Sequence, residues 1–315
     1  MSPLAELTTL AATEMQRPVS LGADALAAKA RARHGGVRAV LFYGSCLRRN
    51  DDEGVLDFYV LVDSYEQAYD RKLLVWLNRL LPPNVFYLEA EANGHTVRSK
   101  YAVVEFESFI DAMRDSTLET YFWARFAQPS AIVGPTDDAT RLRLAQATAT
   151  AVLTFLHSAL ALAPARCTAA ELWRAGLAAS YRSEVRAERP GAADVLLLAD
   201  PQRYEQVTAL AVQAWPQQVR PATKANTPLY DIHLDDGERR RSLCRWRQRQ
   251  WVGKGRFLLR IVRNAYTVDG GVDYAMWKVS RHSGFVFDTE WRQRPAPLLA
   301  LLREIWRAWR AGAFR

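Results

Sequence analysis

Two apolar runs separated by a Gly-Ser pair constrain the fold of this chain more than any other feature. Residues 37–43 (VRAVLFY) and 55–63 (VLDFYVLVD) are rich in β-branched and aromatic residues, as is typical of buried strands. The first run ends at Gly44 and Ser45, and the second carries one carboxylate, Asp57, among apolar neighbours. An ionised carboxylate in a buried strand needs a partner that compensates for its lost hydration. These strands therefore predict a sheet with a polar site where the Gly-Ser turn meets Asp57.

Further signals extend this sheet. Residues 84–91 and 99–106 are also β-branched and aromatic, and the Asn93-Gly94 pair between them is typical of a hairpin turn. Leucines at helical spacing between residues 65 and 81 indicate a helix before the third strand, and another helix is expected after the fourth. The fold class predicted for residues 35–135 is α/β, a mixed sheet with helices.

The other segments have different patterns. Residues 1–34 predict an N-terminal helical segment, and residues 136–222 a mainly helical middle domain in which Thr168 and Glu171 form a capping box. Residues 216–231 (PQQVRPATKANTPLYD) contain three prolines and little periodicity, which predicts a linker or a loop. Residues 223–315 are expected to form a helical, basic, Trp-rich C-terminal region.

Charge and cysteine content indicate the class of partner and the cellular compartment. From Arg239 onward the chain has 18 Lys or Arg against 5 Asp or Glu, with six of the ten tryptophans, so an anionic partner is expected at that end. The three cysteines lie far apart and share no CxxC spacing with the histidines, which argues against zinc and against disulfides. The first eighteen residues have neither signal-peptide nor transit-peptide character, and a cytoplasmic protein is expected.

The Gly-Ser turn and the lone aspartate together suggest a phosphate site. Gly44 permits close backbone approach, Ser45 offers an N–H and a hydroxyl to phosphate oxygens, and Asp57 can hold Mg²⁺ against the same phosphates. Enzymes that transfer nucleotides commonly carry a second carboxylate two residues after the first, where this chain has Tyr59. Asp63 shares the strand face of Asp57 but lies roughly 20 Å away along an extended strand, too far for one ion.

The departure at Tyr59 is shared with a known family. The pattern YGSC, nine residues, then LDFYVLVD resembles the mitochondrial-type phosphatidate cytidylyltransferases, the peripheral CDP-diacylglycerol synthases. Residues 99–133 (SKYAVVEF through QPSAIV) look like that family's Lys-Tyr-Gly-Val strand, acidic helix and Ala-Gly-Arg-Leu-x-Lys-Pro segment. Residues 171–191 (ELWRAGLAASYRSEVRAERPG) are similar to its helix ending in Gly-Asp-x-Arg. The blocks keep their order over residues 40 to about 190.

The resemblance implies a nucleotidyltransferase fold and a set of site residues. Asp57, Lys100 and Arg125 are the candidate catalytic residues, and Tyr43, Gly44, Ser45 and Tyr101 are the candidate nucleotide-binding residues. Asp57, Glu89 and Glu105 are the candidate metal ligands. The candidates for the phosphate or the lipid head group are Tyr181, Arg182, Lys254, Arg281 and His282.

Four positions depart from the family pattern. Cys46 and Ala102 stand where glycine is usual, Gln128 replaces a lysine, and Glu184 stands near the aspartate of the Gly-Asp-x-Arg run. Gln128 weakens any phosphate-binding role of its segment.

The function implied is Mg²⁺-dependent transfer of CMP from CTP to phosphatidic acid, at the inner face of a membrane. The last helix, residues 298–310, is amphipathic and carries tryptophans with interleaved arginines, which is typical of binding to an anionic membrane surface. Two alternatives stay open. One is a nucleotidyltransferase with another acceptor, such as RNA or a small molecule, although nucleic acid is not the expected partner; the other is a catalytically degenerate binding module.

Overall fold

The computed structural model describes residues 2–92, 94–184, 191–224, 227–267, 284–288 and 297–312. Within these ranges the strands are β1 Val37–Tyr43, β2 Val55–Val62, β3 Asn84–Ala92, β4 His95–Glu105, β5 Ser130–Ile132, β6 Arg166–Cys167, β7 Val219–Lys224 and β8 Thr227–Ile232. The helices are α1 Pro3–Met15, α2 Leu21–Arg31, α3 Ser45–Arg49, α4 Tyr65–Ala68, α5 Lys72–Leu80, α6 Phe106–Asp111, α7 Trp123–Phe126, α8 Asp138–Ala159, α9 Ala169–Ser183, α10 Ala192–Ala199, α11 Pro201–Ala211, α12 Asp236–Thr267 and α13 Pro297–Arg310.

The larger sheet has five strands in the order β3-β4-β2-β1-β5. Strand β1 runs antiparallel to β2 and β5, β2 runs parallel to β4, and β3 runs antiparallel to β4. The four strands predicted from the sequence coincide with β1 to β4 to within a few residues, and Ala92 pairs with His95 as the expected hairpin requires. The prediction of a mixed α/β sheet is confirmed.

Alternate residues of the strands face two separate apolar layers. On β2, Tyr59 and Leu61 lie in one layer with residues of α1, α6, α7 and α8, whereas Phe58 and Val60 lie in the other with residues of α2, α4 and α5. This alternation follows from the two-residue period of a strand. Asp57 has the same parity as Tyr59 and therefore lies at the edge of the first layer.

The first apolar layer continues beyond the sheet. It contains Leu7 of α1, Leu41 of β1, Phe155 of α8, Trp173 of α9 and Trp246 of α12. Helix α1 packs along α8 and also contacts α11. One apolar core therefore includes residues from all four segments predicted from the sequence, whose boundaries are at residues 34, 135 and 222.

The prediction of a linker over residues 216–231 is wrong. Strands β7 and β8 form an antiparallel pair there, and β6 joins β8 to give a second sheet in the order β6-β8-β7. Both Pro221 and Pro228 sit in this pair, opposite Tyr230 and Thr223. Most side chains of β7 are exposed or half-buried, so the strand lacks the alternation of apolar residues by which sequence reasoning finds strands.

Glycines on both sides of Lys254 indicate a flexible backbone by sequence, but the structure places all three residues in a helix. Gly253, Lys254 and Gly255 lie within the long helix α12. A Cβ atom on Gly253 would overlap the carbonyl oxygen of Ser183 at the end of α9, whereas one on Gly255 would meet nothing within 4 Å. Gly253 therefore permits a close crossing of two helices, and Lys254 follows that crossing directly.

Candidate functional site

One row of side chains crosses the larger sheet at the end of β1. Backbone pairing aligns Tyr87, Lys100, Asp57, Tyr43 and Ser130 on five neighbouring strands. Paired residues on adjacent strands point to the same face of a sheet. The row thus brings the candidate residues Asp57, Lys100 and Tyr43 together beside the Gly-Ser turn.

Asp57 lies between a lysine and the turn. Its Oδ1 atom is 3.0 Å from Lys100 Nζ, and its Oδ2 atom would lie 3.2 Å from a Cβ atom on Gly44. Gly44 has φ of +95°, a conformation that residues with a Cβ rarely adopt. The backbone conformation thus favours glycine at position 44, and a Cβ atom there would crowd the carboxylate.

The hydrogen bonding of the Asp57 carboxylate is incomplete. Oδ1 is buried, and no group in the described ranges makes a hydrogen bond with it. The contact with Lys100 is an ion pair by distance but lacks hydrogen-bond geometry, so Lys100 balances the charge of Asp57 without donating a hydrogen bond to Oδ1. Buried polar atoms usually have a partner, and a site with such an atom is suited to a further polar ligand.

A buried arginine lies on the same face of the sheet. Arg125 Nη1 donates to the Tyr59 hydroxyl at 2.9 Å, and Nη2 donates to Glu184 Oε2 at 3.3 Å. The guanidinium also lies over the rings of Tyr121, at 4.1 Å, and Tyr43, at 5.4 Å. The side chains of Arg125 and Glu184 are only 7% and 13% exposed. Arg125 therefore connects the Asp57 strand, the Gly-Ser strand and the end of α9.

The Tyr59 hydroxyl is held in its neutral form. Burial raises its pKa well above the ordinary value, and the positive charge of Arg125 opposes that shift only in part. A neutral hydroxyl can accept the hydrogen bond from Arg125 without neutralising the guanidinium. Tyr59, two residues after Asp57, thus supports a cation.

Three candidates for phosphate or head-group binding lie near Glu184. Tyr181 and Arg182 are in the last turn of α9, and Lys254 is one residue beyond the crossing of α12 over Ser183. Arg182 and Lys254 are exposed, and Tyr181 packs partly on the apolar core. The structure thus brings these residues near the Arg125–Glu184 pair, without a direct contact to Asp57.

Other predicted site residues are placed elsewhere. Tyr101 is buried on the opposite sheet face, where its hydroxyl lies 3.2 Å from His34 Nε2. Glu89 accepts hydrogen bonds from Tyr87 and Arg98 on the edge strand. Glu105, at the end of β4, accepts from the backbone N–H of Tyr65 at 3.0 Å. The structure does not bring Glu89 or Glu105 to Asp57, and Tyr101 faces away because consecutive strand residues alternate.

The residues at the row fit a Mg²⁺ ion that is shared with a phosphate ligand. Within the described residues, no group of three or more His, Cys, Asp or Glu side chains could hold a metal by itself. Mg²⁺ is often held by one or two carboxylates together with substrate phosphates. Asp57 supplies one carboxylate whose Oδ1 atom lacks a hydrogen bond, and Gly44 lies directly against its Oδ2 atom.

The four departures from the family pattern have clear structural positions. Cys46 is buried behind the turn, Ala102 is buried opposite Tyr59, and the Gln128 side chain donates to the Ala124 carbonyl at 3.1 Å. Sequence reasoning identified Glu184 only as a departure and missed its contact with Arg125. It also missed Glu119, which pairs with Arg256 and Arg260 of α12.

The expected membrane-binding elements are only partly described. Helix α13 exposes Leu299, Trp306 and Trp309, and Arg307 pairs with the buried Glu304. The candidates Arg281 and His282 lie outside the described residues. One described segment, Asp138–Leu162, is long and apolar enough to cross a membrane, but 78% of its most apolar window is buried within the protein.

No protein-family model matches the chain, and no curated protein is significantly similar to it.

Proposed function

We propose that this chain is a nucleotidyltransferase that makes CDP-diacylglycerol from CTP and phosphatidic acid. The observation that carries the proposal is the arrangement around Asp57. One end of the sheet holds a carboxylate oxygen without a hydrogen bond, an ammonium group 3.0 Å from it, and a glycine turn directly against the same carboxylate. This combination suits a metal-bound polyphosphate better than it suits an apolar or neutral ligand.

The strand arrangement supports a nucleotidyltransferase fold. A Gly-Ser turn ends β1, the catalytic candidate Asp57 lies on the antiparallel neighbour β2, and β4 runs parallel to β2. The resemblance of the sequence implies a Gly-Ser turn followed by a carboxylate on the next strand, as in β1 and β2. The proposal adds that α9 and α12 complete the site through Glu184 and Lys254.

The chemistry requires few groups from the protein. A phosphate monoester loses its second proton near pH 6, so phosphatidic acid can attack the α-phosphorus of CTP without a general base. The oxygen of the acceptor phosphate forms a bond to that phosphorus, and the bond to pyrophosphate breaks. The protein must bring two anions together and stabilise the negative charge that develops on the leaving group.

Each candidate residue has a role in this scheme. The backbone at Gly44 and Ser45 binds phosphate oxygens, Lys100 neutralises charge beside Asp57, and Arg125 orients the nucleotide side of the site through Tyr43. Asp57 would hold Mg²⁺, which when bound supplies charge neutralisation on the phosphates. With Tyr59 in place of a second carboxylate, the site is poorly equipped to activate a sugar hydroxyl, and this favours an acceptor that is already an anion.

A lipid acceptor is favoured by the surface of the C-terminal region. Helix α13 exposes two tryptophans next to Arg303, Arg307 and Arg310. Tryptophan and arginine together are typical of helices that bind anionic membrane surfaces. We propose that the protein acts on the cytoplasmic side of a membrane as a peripheral enzyme.

The test is a direct assay of the product. Purified protein is incubated with Mg²⁺, CTP labelled in its α-phosphate, and mixed micelles that contain phosphatidic acid; the proposal predicts label in the lipid extract as a CDP-lipid. The same assay with UTP, ATP and GTP measures the nucleotide preference, and a parallel reaction offers an RNA oligonucleotide. Label on the RNA and none in lipid would contradict the lipid acceptor, and no turnover with any acceptor would contradict the enzyme.

A further inference from the structure

Helix α5 presents an apolar face to the outside of the protein. Leu73, Trp76 and Leu80 are 62%, 60% and 61% exposed, and their spacing places them on one side of the helix. The opposite side is fixed to the sheet, since Val75 is buried and the Asn78 side chain donates to the Val103 carbonyl at 3.0 Å. The orientation of α5 is therefore set by packing, and its apolar face points outward.

This face differs from ordinary exposed apolar residues. Single exposed leucines are common, but several large apolar side chains on one helix face mark a binding surface. Helix α10 offers an internal comparison, because Val195 and Leu198 are 72% and 77% exposed. That pair lies next to the carboxylates Asp194 and Asp200, so it is unsuited to an anionic partner.

The apolar face of α5 has cations at both ends. Arg71 and Lys72 are exposed where the helix begins, and Arg79 is exposed in its last turn. The nearby carboxylates are Asp70 and Glu66, and Glu66 pairs with Arg79 at 2.5 Å. These three cations and two carboxylates leave one net positive charge around an apolar centre.

We propose that the apolar face of α5 inserts into the interfacial layer of an anionic lipid bilayer. The tryptophan and the two leucines would enter the boundary between head groups and acyl chains, and the basic side chains would remain at the level of the head groups. The proposal rests on the proposed function to the extent that the membrane also holds the acceptor. It names an anchoring element separate from α13.

A second copy of the chain fits this face less well. Two α5 helices packed antiparallel by a twofold axis would bring Arg71 and Lys72 of one copy to Arg79 of the other, so like charges would meet. Three exposed side chains also provide far less than the roughly 800 Å² per partner of a stable protein interface. Charge and size together favour a lipid surface.

A short series of contacts connects the end of α5 to Arg125, although α5 packs on the opposite face of the sheet. Pro82, just after α5, accepts a hydrogen bond from Arg260 Nε at 3.0 Å. The Arg260 guanidinium lies 4.7 Å from the centre of the Tyr121 ring, and Arg125 lies 4.1 Å from the same ring. The end of α5 is thus connected to the residues that contact Tyr59 and Tyr43.

The experiment measures vesicle binding by the full chain, without nucleotide. Vesicles of phosphatidylcholine alone are compared with vesicles that also contain phosphatidylglycerol, and binding is read by sedimentation and by tryptophan fluorescence. The variants are Leu73→Ser/Trp76→Ser/Leu80→Ser and, as a matched control, Val195→Ser/Leu198→Ser; circular dichroism and thermal unfolding confirm that both fold. Helix α13 is intact in each.

The proposal predicts that the parent binds the anionic vesicles and that the α5 variant loses about tenfold or more in partition coefficient, while the α10 control stays within about twofold. Equal binding by the folded α5 variant and the parent would overturn it. So would a parent that is dimeric by light scattering and becomes monomeric in the α5 variant, since the face would then bind a second copy. Vesicle binding without formation of CDP-lipid would contradict the proposed function and leave the α5 inference standing.

Discussion

At the scale of single residues, the site depends on where the backbone leaves room. Gly44 combines a positive φ with close approach to Asp57, whereas Gly134 has a similar φ of +77° and nothing within 4 Å of its missing Cβ. Substitutions at the two glycines therefore distinguish the effect of backbone strain, which both share, from the effect of crowding the carboxylate, which occurs only at Gly44. Only crowding affects the proposed chemistry.

We predict that Gly44→Ala lowers turnover by about 10²-fold, and that Gly134→Ala leaves turnover within a few-fold of the parent. Both variants should lose about 1–2 kcal/mol of unfolding free energy, because alanine is strained at positive φ. The measurements are steady-state turnover with CTP and urea unfolding. Equal turnover in the two folded variants would contradict the role of the turn.

The Arg125–Glu184 pair should be sensitive to which partner is removed. Arg125→Met leaves Glu184 with less compensation in a buried site and should cost about 3–5 kcal/mol of unfolding free energy. Glu184→Gln keeps an acceptor for the guanidinium and should cost about 1–2 kcal/mol. Chemical unfolding of the two variants measures both values. A larger loss in Glu184→Gln would show that Glu184, not Arg125, organises this group.

At the scale of helices and strands, the sequence predicted the strands with apolar runs and missed a strand that lacks one. The strands β1 to β4 have apolar, β-branched runs, and the structure places each of them as predicted. The exposed β7 has no such run, and its pairing with β8 was missed. A pattern of apolar residues indicates which side chains are buried, so a strand that is mostly exposed has little apolar pattern by which it can be predicted.

The same limit applies to the candidate site. Asp57, Gly44 and Ser45 could be selected because a carboxylate and a Gly-Ser pair interrupt apolar strands. The pairing of Asp57 with Lys100 depends on β4 entering the sheet next to β2 and parallel to it, which no local pattern reveals. The contact between Glu184 and Arg125 depends on how α9 ends beside α7, which is a property of tertiary packing.

The crossing of α12 over α9 gives a test at this scale. Gly253→Ala should destabilise the protein by about 1–3 kcal/mol, because the new methyl group overlaps the Ser183 carbonyl and forces the helices apart. Gly255→Ala adds a methyl group where nothing lies within 4 Å and should stabilise the helix by up to about 1 kcal/mol. Thermal unfolding of the two variants measures the contrast. Stabilisation by both would mean that α12 does not pass so close to α9.

At the scale of the whole molecule, one core joins the segments that differ in sequence pattern. Leu41, Tyr59 and Leu61 of the larger sheet share an apolar cluster with α1 and α8. The buried Arg203 of α11 also donates to the Glu14 carboxylate of α1, at 2.5 and 3.0 Å. Helices from both sides of residues 35–135 in the sequence therefore cover the face of the sheet that carries Asp57.

We predict that residues 35–135, expressed alone, do not form a cooperatively folded domain, because one face of the sheet would be exposed to water. The full chain should unfold in a single main transition. Circular dichroism and urea titration of the fragment and the full chain provide the measurement. A fragment with a sharp unfolding transition would contradict a shared core.

The central claim is that Asp57 holds the metal and the phosphates of the nucleotide. The side chain of Asp63 is the matched control, because it follows the same strand but lies 3.5 Å from Arg38 Nε, and its backbone N–H donates to the Gly36 carbonyl at 2.8 Å. Loss of a preorganised electrostatic group at a reacting centre costs about 10²-fold or more in turnover. Loss of an exposed ion pair costs about 1 kcal/mol or less of stability.

The most direct measurement is steady-state turnover of CTP by Asp57→Asn and Asp63→Asn at saturating Mg²⁺, with thermal unfolding as the control for folding. We predict a loss of at least about 10²-fold for Asp57→Asn in a folded protein, and turnover within a few-fold of the parent for Asp63→Asn. Turnover by Asp57→Asn within a few-fold of the parent would contradict the proposed site. A large loss in folded Asp63→Asn would place the metal at the other end of β2.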